Sequence, residues 1–374
     1  MIMISTEIRE VTFKRILNMV VASDNNTPNA VEFREDTLHS KLNLISNSRD
    51  IGSKVSLQQI RSEKKVRVVV EAPASIANLG PGFDVLAMAI DSFKDIVELV
   101  AKLGSGKIVV KVEGFKVPEG KENVAYGVIR EAINKYGLDG IDFYVKIIKG
   151  VPPALGLGSS GATSAATAYA LSLALNLGLD GKELIKLAGS GEAMVAGLPH
   201  YDNVSASILG GVVLIDPESI EVLKIEPKKT FWIAIVSPDI PRSPKKTYLA
   251  RKILPSNVDI RTVTKQLASI GKVIHALCMG DLELLGRAIS SDYIIEPARA
   301  KLIPNYWELK KIALENGALG FNIAGAGPSV FSIYYTKEDA IRVGNLMINH
   351  LKELGIYARL HIARISKYGV RCVG

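Results

Sequence analysis

The sequence is short of the residues that build several kinds of protein. It has 374 residues but only two cysteines, Cys278 and Cys372. Two cysteines cannot form a disulfide framework or a zinc site, so we expect a reducing, cytoplasmic compartment. No run reaches the ~18 apolar residues that a membrane span needs, because the most apolar stretch, 204–215, is interrupted by glycine and serine. We therefore expect no membrane association.

The sequence also lacks a long run of like charges. The 46 basic residues exceed the 38 acidic ones to give a net charge of +8, which is spread along the chain. The basic clusters are short, as at Lys64 and Lys65, and no aromatic residue is interleaved with them. The excess favours small anionic ligands, and we expect no nucleic-acid partner.

What is present is the composition of a folded globular protein. Hydrophobic residues make up 48% and charged residues 22%, and the length allows two domains. Residues 1–64 differ, because they are polar and contain no glycine before Gly52. Their acidic residues argue against a transit peptide. We expect a loosely ordered extension, or a start codon that was assigned too early.

The folded part is predicted to begin at Lys65. Strands that alternate with helices twice over predict two layered α/β or α+β units. Predicted strands are 66–70, 95–102, 107–112, 141–148, 206–215 and 231–236. Predicted helices are 124–136, 163–175, 182–196, 258–278, 282–290 and 306–316.

The most informative motif is a glycine loop between the predicted strand 141–148 and the alanine-rich helix 163–175. Glycine permits positive φ and a close backbone approach, and a helix start offers unpaired N–H groups and a positive dipole end. The loop therefore predicts a phosphate cradle, although it lacks the lysine of a P-loop and the spacing of a dinucleotide turn. The structural alternative is a plain turn with a serine helix cap. The loop consists of Pro152, Pro153, Ala154, Leu155, Gly156, Leu157, Gly158, Ser159, Ser160, Gly161 and Ala162.

Two polar side chains stand out in the apolar segment that follows the first strand. Asn78 and Asp84 flank a rigid Gly-Pro-Gly turn. They are candidate ligand contacts. The alternative is that Asn78 makes an Asx-turn and Asp84 caps a helix beginning at Val85.

A second polar group lies around the predicted helix 182–196. Glu192 is followed by His200, Asp202 and Asn203. Ser160 of the glycine loop could either cap its helix or bind a metal ion that accompanies phosphate. A solvent-facing Glu192, a packing histidine and a plain turn are the structural alternatives.

Three residues further along are candidate substrate contacts. Thr247 and Arg251 are four positions apart and so share one helical face, and Arg299 lies in a Glu-Pro-Ala-Arg segment. Arginine can hold a carboxylate through two parallel hydrogen bonds. Exposed surface arginines are the alternative.

Taken in order, the segments 73–84, 152–162 and 320–329 resemble the three motifs of the GHMP kinase superfamily, and the polar residues resemble its homoserine kinase branch. The resemblance covers roughly residues 65–374 and leaves 1–64 without a counterpart. It implies an α+β fold of two domains, a ribosomal-protein-S5-like N-terminal domain at 65–216 and a ferredoxin-like C-terminal domain at 217–374. The active site is then expected in the cleft between them.

The resemblance also implies roles for the candidate residues. The glycine loop binds the phosphates of ATP, Asn123 lies near the adenine, and Ser160 and Glu192 hold Mg²⁺. Phosphorylation of L-homoserine, a step toward threonine, is the implied reaction, and a homodimer is one expected assembly. The implied amino-acid contacts are Arg251 and Arg299 at the carboxylate and Asn78, Asp84, His200 and Thr247 at the ammonium and hydroxyl groups.

The chain departs from many superfamily members at one catalytic position. They place an aspartate eleven residues after the glutamate that binds the metal, whereas this chain has Asn203. An amide cannot accept a proton at neutral pH, so the resemblance implies in-line transfer without a side-chain base, unless Asp202 takes that part. The alternatives for the whole protein are another GHMP kinase, acting on mevalonate or a sugar, and a ligand sensor without catalytic activity.

Overall fold

The computed structural model describes residues 65–197, 199–241 and 250–374. The expected extension at 1–64 and the candidate Thr247 lie outside these residues. Across the described ranges, no helix is both long and apolar enough to cross a membrane.

A seven-stranded mixed sheet takes six strands from the first half of the described chain and one short strand from residues 371–372. Its central strand, β2, pairs antiparallel with β1, β4 and β5, while β3 pairs parallel with β4. Along β2 from residue 95 onward and along β4, buried side chains alternate with more exposed ones, so one face of the sheet packs into the core. The strands are β1 Val66–Ala77, β2 Leu86–Leu103, β3 Ile108–Gly114, β4 Ile141–Lys149, β5 Val212–Asp216, β6 Glu221–Ile225 and β11 Arg371–Cys372.

Four helices accompany this sheet. They are α1 Val124–Tyr136, α2 Ser159–Ala174, α3 Gly181–Ala196 and α4 Tyr201–Leu209. Helix α2 is buried on nearly every side, which its small alanine, serine and threonine side chains allow. It packs against β1, β2 and the other three helices, so the position of its N-terminus is fixed by these contacts.

The second half of the chain contains a four-stranded antiparallel sheet in the order β10, β7, β9, β8. Its strands are β7 Trp232–Pro238, β8 Gly320–Ile323, β9 Val330–Tyr334 and β10 Ala358–Ala363. The helices of this half are α5 Ile260–Met279, α6 Leu282–Ile289, α7 Ile295–Arg299, α8 Tyr306–Glu315 and α9 Lys337–Glu353. Helices α8 and α9 share a hydrophobic core with this sheet.

The element predictions hold best where the apolar pattern is long. Helix α1 has the predicted bounds, because Asn123 caps its start and Gly137 takes a left-handed conformation at its end. The strand predicted at 206–215 is wrong in its first half, since 206–209 belong to helix α4. No helix begins at Val85 either, because the residues from Leu86 onward form β2.

Candidate active site

Most of the candidate residues in the described ranges line one cavity of about 270 Å³. Its walls come from the glycine loop, the start of α2, the turn after β1 and the segments that carry Arg251, Arg299 and Gly325. Residues more than 200 positions apart in sequence therefore share one site.

The glycine loop enters this cavity with backbone conformations that only glycine takes easily. Gly156 and Gly158 have φ values of 81° and 63°. A Cβ on Gly156 would lie 2.0 Å from the carbonyl oxygen of Ala324, and one on Gly158 would lie 2.1 Å from Oγ of Ser75. The glycines are therefore needed for close packing as well as for the turn.

The start of α2 faces the cavity without a side-chain cap. Its N-cap is Gly158, which makes no capping hydrogen bond, so the alternative of a serine cap is wrong. Ser159 Oγ instead donates to the carbonyl oxygen of Val151 at 2.9 Å. A helix start of this kind leaves N–H groups available to an anion.

Not every residue of the predicted loop reaches the cavity. Pro153, Ala154, Gly156, Leu157, Gly158, Ser159 and Ser160 line it. The other four pack around the loop and do not line the cavity. They are Pro152, Leu155, Gly161 and Ala162.

Ser160 and Glu192 are brought together, as the resemblance implied. The hydroxyl of Ser160 donates to Oε1 of Glu192. Glu192 is fully buried, so the solvent-facing alternative is wrong. Its Oε2 accepts the backbone N–H of His200 at 3.1 Å and lies 3.5 Å from Nδ1 of the same residue. Ser160 lines the cavity, and the carboxylate lies directly behind it.

His200 titrates in a mixed environment. Burial lowers the pKa of its imidazole, but the hydrogen bond and the charge of Glu192 outweigh burial and raise the pKa above its ordinary value. The imidazole of His200 is therefore protonated more readily here than that of a free histidine.

Asp202 and Asn203 lie in the first turn of α4 and line the cavity. Oδ1 of Asn203 accepts a hydrogen bond from Oγ of Ser75 at 2.9 Å. Oδ1 of Asp202 accepts the N–H of Asn203 at 2.8 Å. Burial raises the pKa of the Asp202 carboxyl. The amide is thus held in place at the wall, with the carboxylate beside it.

Arg251 and Asp84 also line the cavity, where they form an ion pair. Each side chain is about one-third exposed, at 35% and 34% respectively. Asp84 has a positive φ of 59°, and its N–H donates to Oδ1 of Asn78 at 3.2 Å. The turn after β1 therefore presents the carboxylate toward the cavity.

Arg299 is buried at 4% exposure, so the alternative of a surface arginine is wrong for this residue. Its Nη1 donates to the carbonyl oxygen of Gly325 at 3.0 Å, which also accepts from Nδ2 of Asn78 at 3.0 Å. Burial lowers the pKa of its guanidinium to about 10, with Arg251 nearby adding to the effect. It still carries its charge at neutral pH.

One aromatic ring links the two arginines. The ring of Phe83 lies 5.5 Å from Cζ of Arg251 and 5.0 Å from Cζ of Arg299. Both distances are within the range of cation–π attraction. Two guanidinium groups and one carboxylate are therefore collected at one end of the cavity.

Asn123 lines the cavity beside Pro118, but its side chain is already engaged. Its Oδ1 caps α1 by accepting from Ala125, and its Nδ2 donates to the carbonyl oxygen of Pro118 at 2.7 Å. Asn123 therefore shapes this wall through the helix cap.

The sequence interpretation missed a buried group beneath the loop. Lys149 lines the cavity and pairs with Asp95, and Thr163 contacts both. A signal was present, because Asp95 and Lys149 occupy inward positions of β2 and β4 that are otherwise apolar.

Comparison of the amino-acid sequence with known proteins identifies a family. Residues 123–211 match the family of GHMP kinases N terminal domain, and residues 273–353 match that of GHMP kinases C terminal. A homoserine kinase of Aeropyrum pernix is 39% identical over 287 residues, which cover 75% of this chain and 91% of that protein. One of Pyrococcus horikoshii is 37% identical over 305 residues, covering 81% and 99%.

Structure comparison agrees. The crystal structure of homoserine kinase from Cytophaga hutchinsonii superposes with a TM-score of 0.74 and 30% identity, covering 82% of this chain and 97% of that one. The mevalonate kinase of Methanococcus jannaschii, at 18% identity and a TM-score of 0.60, shares the fold. The α+β fold expected from the GHMP resemblance is confirmed, and the chain belongs to the homoserine kinase family of the GHMP kinases.

Proposed function

We propose that this protein transfers the γ-phosphoryl group of ATP to the side-chain hydroxyl of L-homoserine, giving O-phospho-L-homoserine on the route to threonine, in the cytoplasm. The observation that carries the proposal is the single cavity that joins an uncapped helix start to a pair of arginines and a carboxylate. The first end suits a triphosphate, and the second suits an amino-acid zwitterion.

The nucleotide is assigned to the loop end. The backbone of Ala154, Gly156 and Gly158 turns there through positive φ, which lets N–H groups and the α2 start converge on an anion. The wall at Pro118 and Asn123 is assigned to the adenine, following the family resemblance, since both residues line the same cavity as the loop. Its position is supported by the Asn123 cap, which fixes the start of α1.

Ser160 and Glu192 fit a magnesium ion. Magnesium prefers oxygen ligands, uses one or two carboxylates and keeps several waters. A hydroxyl and a carboxylate already in contact provide two oxygens of that kind. In the described part of the chain, no group of three or more His, Cys, Asp or Glu could hold a metal, so phosphate oxygens and water would complete the shell. When bound, the ion would neutralise phosphate charge during transfer.

The amino acid is assigned to the arginine end. Arg251 and Arg299 would bind the α-carboxylate, and Asp84 would bind the ammonium group. His200, Asn78 and Thr247 are the remaining proposed contacts, Thr247 lying outside the described residues. Mevalonate has a carboxylate but no ammonium, so it would offer Asp84 no cationic group to bind.

Asn203 is proposed as the residue that positions the reacting hydroxyl. Its amide cannot take a proton, so the hydroxyl would attack in line and lose its proton late, to a phosphate oxygen or to water. A loose phosphoryl-transfer transition state permits this, because positioning and charge neutralisation supply most of the catalysis.

A substrate panel tests the proposal. ADP release would be followed in a coupled assay with the full chain, ATP and Mg²⁺, using L-homoserine, mevalonate and galactose in parallel. We expect turnover with L-homoserine and only background with the other two. Preference for mevalonate or galactose would assign another GHMP kinase, and no turnover with any of the three would favour a ligand sensor.

A further inference from the structure

Two charged residues face each other beneath the glycine loop. Asp95 on β2 and Lys149 at the end of β4 lie on neighbouring antiparallel strands, where Ile96 pairs with Ile148. Their side chains are 0% and 2% exposed and form an ion pair. Both occupy inward positions that are otherwise apolar along these strands. The fold therefore places two opposite charges in its interior, at the base of the phosphate cradle.

The Asp95 carboxylate holds the first end of the loop. Its Oδ1 accepts the backbone N–H groups of Gly150 at 3.1 Å and Val151 at 2.9 Å. These are the first residues after β4. The direction in which the chain leaves the strand is thus set by one carboxylate oxygen.

The other oxygen and the lysine hold the far end. Oδ2 of Asp95 accepts from Oγ1 of Thr163 at 2.6 Å. Nζ of Lys149 donates to Oγ1 of Thr163 at 2.9 Å and to the carbonyl oxygen of Ser159 at 2.6 Å. Ser159 and Thr163 lie in the first turns of α2. Both ends of the loop are therefore tied to one buried group.

The placement is electrically demanding. A cation close to a helix N-terminus is repelled by the positive end of the helix dipole. Burial lowers the pKa of the Lys149 ammonium, and the charge and hydrogen bond of Asp95 oppose that effect. Removing one member of a buried pair leaves an uncompensated charge. Packing alone would be satisfied by apolar residues at these positions, since the neighbouring inward positions are apolar.

We propose that Asp95, Lys149 and Thr163 are positioning residues that hold the glycine loop in the shape that receives the nucleotide. This inference rests on the assignment of ATP to the loop in the proposed function. The triad fixes the loop before binding, so its loss would weaken nucleotide affinity and leave the amino-acid end of the cavity unchanged.

Thr163 provides the mildest test. Thr163→Val replaces the hydroxyl with a methyl group of similar size, whereas Thr163→Ser keeps the hydroxyl. Binding of ADP with Mg²⁺, measured by calorimetry without amino acid, should weaken about tenfold in Thr163→Val, the loss expected for one hydrogen bond to a buried charge. Thr163→Ser should bind nearly as the natural protein does. The KM for ATP should rise with the ADP dissociation constant, while the KM for L-homoserine should stay within about twofold of its natural value.

Asp95→Asn is the second variant, and Glu98→Gln on the same strand is its matched control. Glu98 also forms an ion pair, in its case with Arg67, but near the surface and away from the loop. Asp95→Asn should weaken ADP binding at least as much as Thr163→Val, and Glu98→Gln should not change it. Unchanged ADP affinity in folded Thr163→Val would overturn the proposal. So would equal losses in Thr163→Val and Thr163→Ser. Because ADP binding needs no amino acid, these results decide the triad even if L-homoserine is not turned over.

Discussion

Ser160 on α2 donates its hydroxyl hydrogen to Oε1 of Glu192 on α3, a residue 32 positions later in the chain. The contact exists because α2 and α3 pack against each other and bury Glu192 completely. A buried carboxylate needs such hydrogen-bond partners, since burial of a charge without them is costly in free energy. The same two oxygens are the ones proposed to bind magnesium.

Glu192→Gln should raise the Mg²⁺ concentration needed for half-maximal activity. The amide keeps the size of the side chain but loses its charge. We expect a rise of at least about tenfold, since even groups that only support metal ligands cost 10 to 100-fold. Magnesium titrations of ADP release measure it. Glu131→Gln on α1, outside the cavity wall, is the control and should titrate normally. An unchanged magnesium requirement in Glu192→Gln would remove this residue from the metal site.

Arg299→Met should raise the KM for L-homoserine by about 10 to 100-fold, the loss expected when a charged hydrogen-bond donor is removed. The KM for ATP should change little, because the nucleotide is assigned to the other end of the cavity. Steady-state kinetics, with each substrate varied in turn, measure the KM for L-homoserine and the KM for ATP separately. Arg287→Met removes an exposed arginine of α6 and should leave both constants unchanged. A larger rise in the KM for ATP than for L-homoserine would contradict the assignment of Arg299.

Asp202→Asn tests how the proton leaves. If no side chain acts as a base, the turnover number should fall by less than about tenfold, because the carboxylate is dispensable for proton transfer. If Asp202 is the base, loss of general base catalysis should cost ~10² to 10⁴. Single-turnover measurements of phosphoryl transfer at saturating substrates distinguish the two results. Burial raises the pKa of this carboxyl, so Asp202 is a serious candidate for the base and the test is a strict one.

Glu71 should make stability depend on pH. Burial raises the pKa of its carboxyl, but hydrogen bonds from Lys94 and Arg371 outweigh burial and lower the pKa below its ordinary value. A carboxylate with a lowered pKa stabilises the fold above its unfolded pKa, and this contribution is lost as pH falls through the folded pKa. Glu71→Gln should therefore cost about 1 kcal/mol of unfolding free energy at pH 7, a value kept small because both partners are exposed.

Denaturant unfolding at pH 7 and at pH 3 measures this difference. The two proteins should differ in stability at pH 7 and approach each other at pH 3. A difference that is larger at pH 3 would contradict the sign.

The sequence predicted the glycine loop and the bounds of α1 well because these depend on local chemistry. The loop is specified by glycine, and α1 by its Asn123 cap and Gly137 end. The polar residues were candidates from their local setting, but the fold and the grouping of these residues in one site came from the resemblance to a family, since nothing local indicates that Asn78, Arg299 and Gly325 meet.

Other features depended on tertiary packing. The segment 206–209 is apolar enough for a strand, yet it continues helix α4, because α4 packs against α2, α3 and β1. The triad of Asp95, Lys149 and Thr163 required knowing that β2 and β4 are neighbours. The position of Asn123 near the adenine stays a prediction, and the structure adds that its side chain caps α1. The domain boundary at 216 and the homodimer stay predictions.

The most direct measurement is phosphorus NMR of the product formed from ATP, Mg²⁺ and L-homoserine by the full chain. A new phosphomonoester signal that grows with ADP, coupled to the side-chain methylene protons of the amino acid, is the predicted result. Inorganic phosphate as the only new phosphorus species besides ADP, or no ADP at all, would contradict phosphorylation of L-homoserine by this protein.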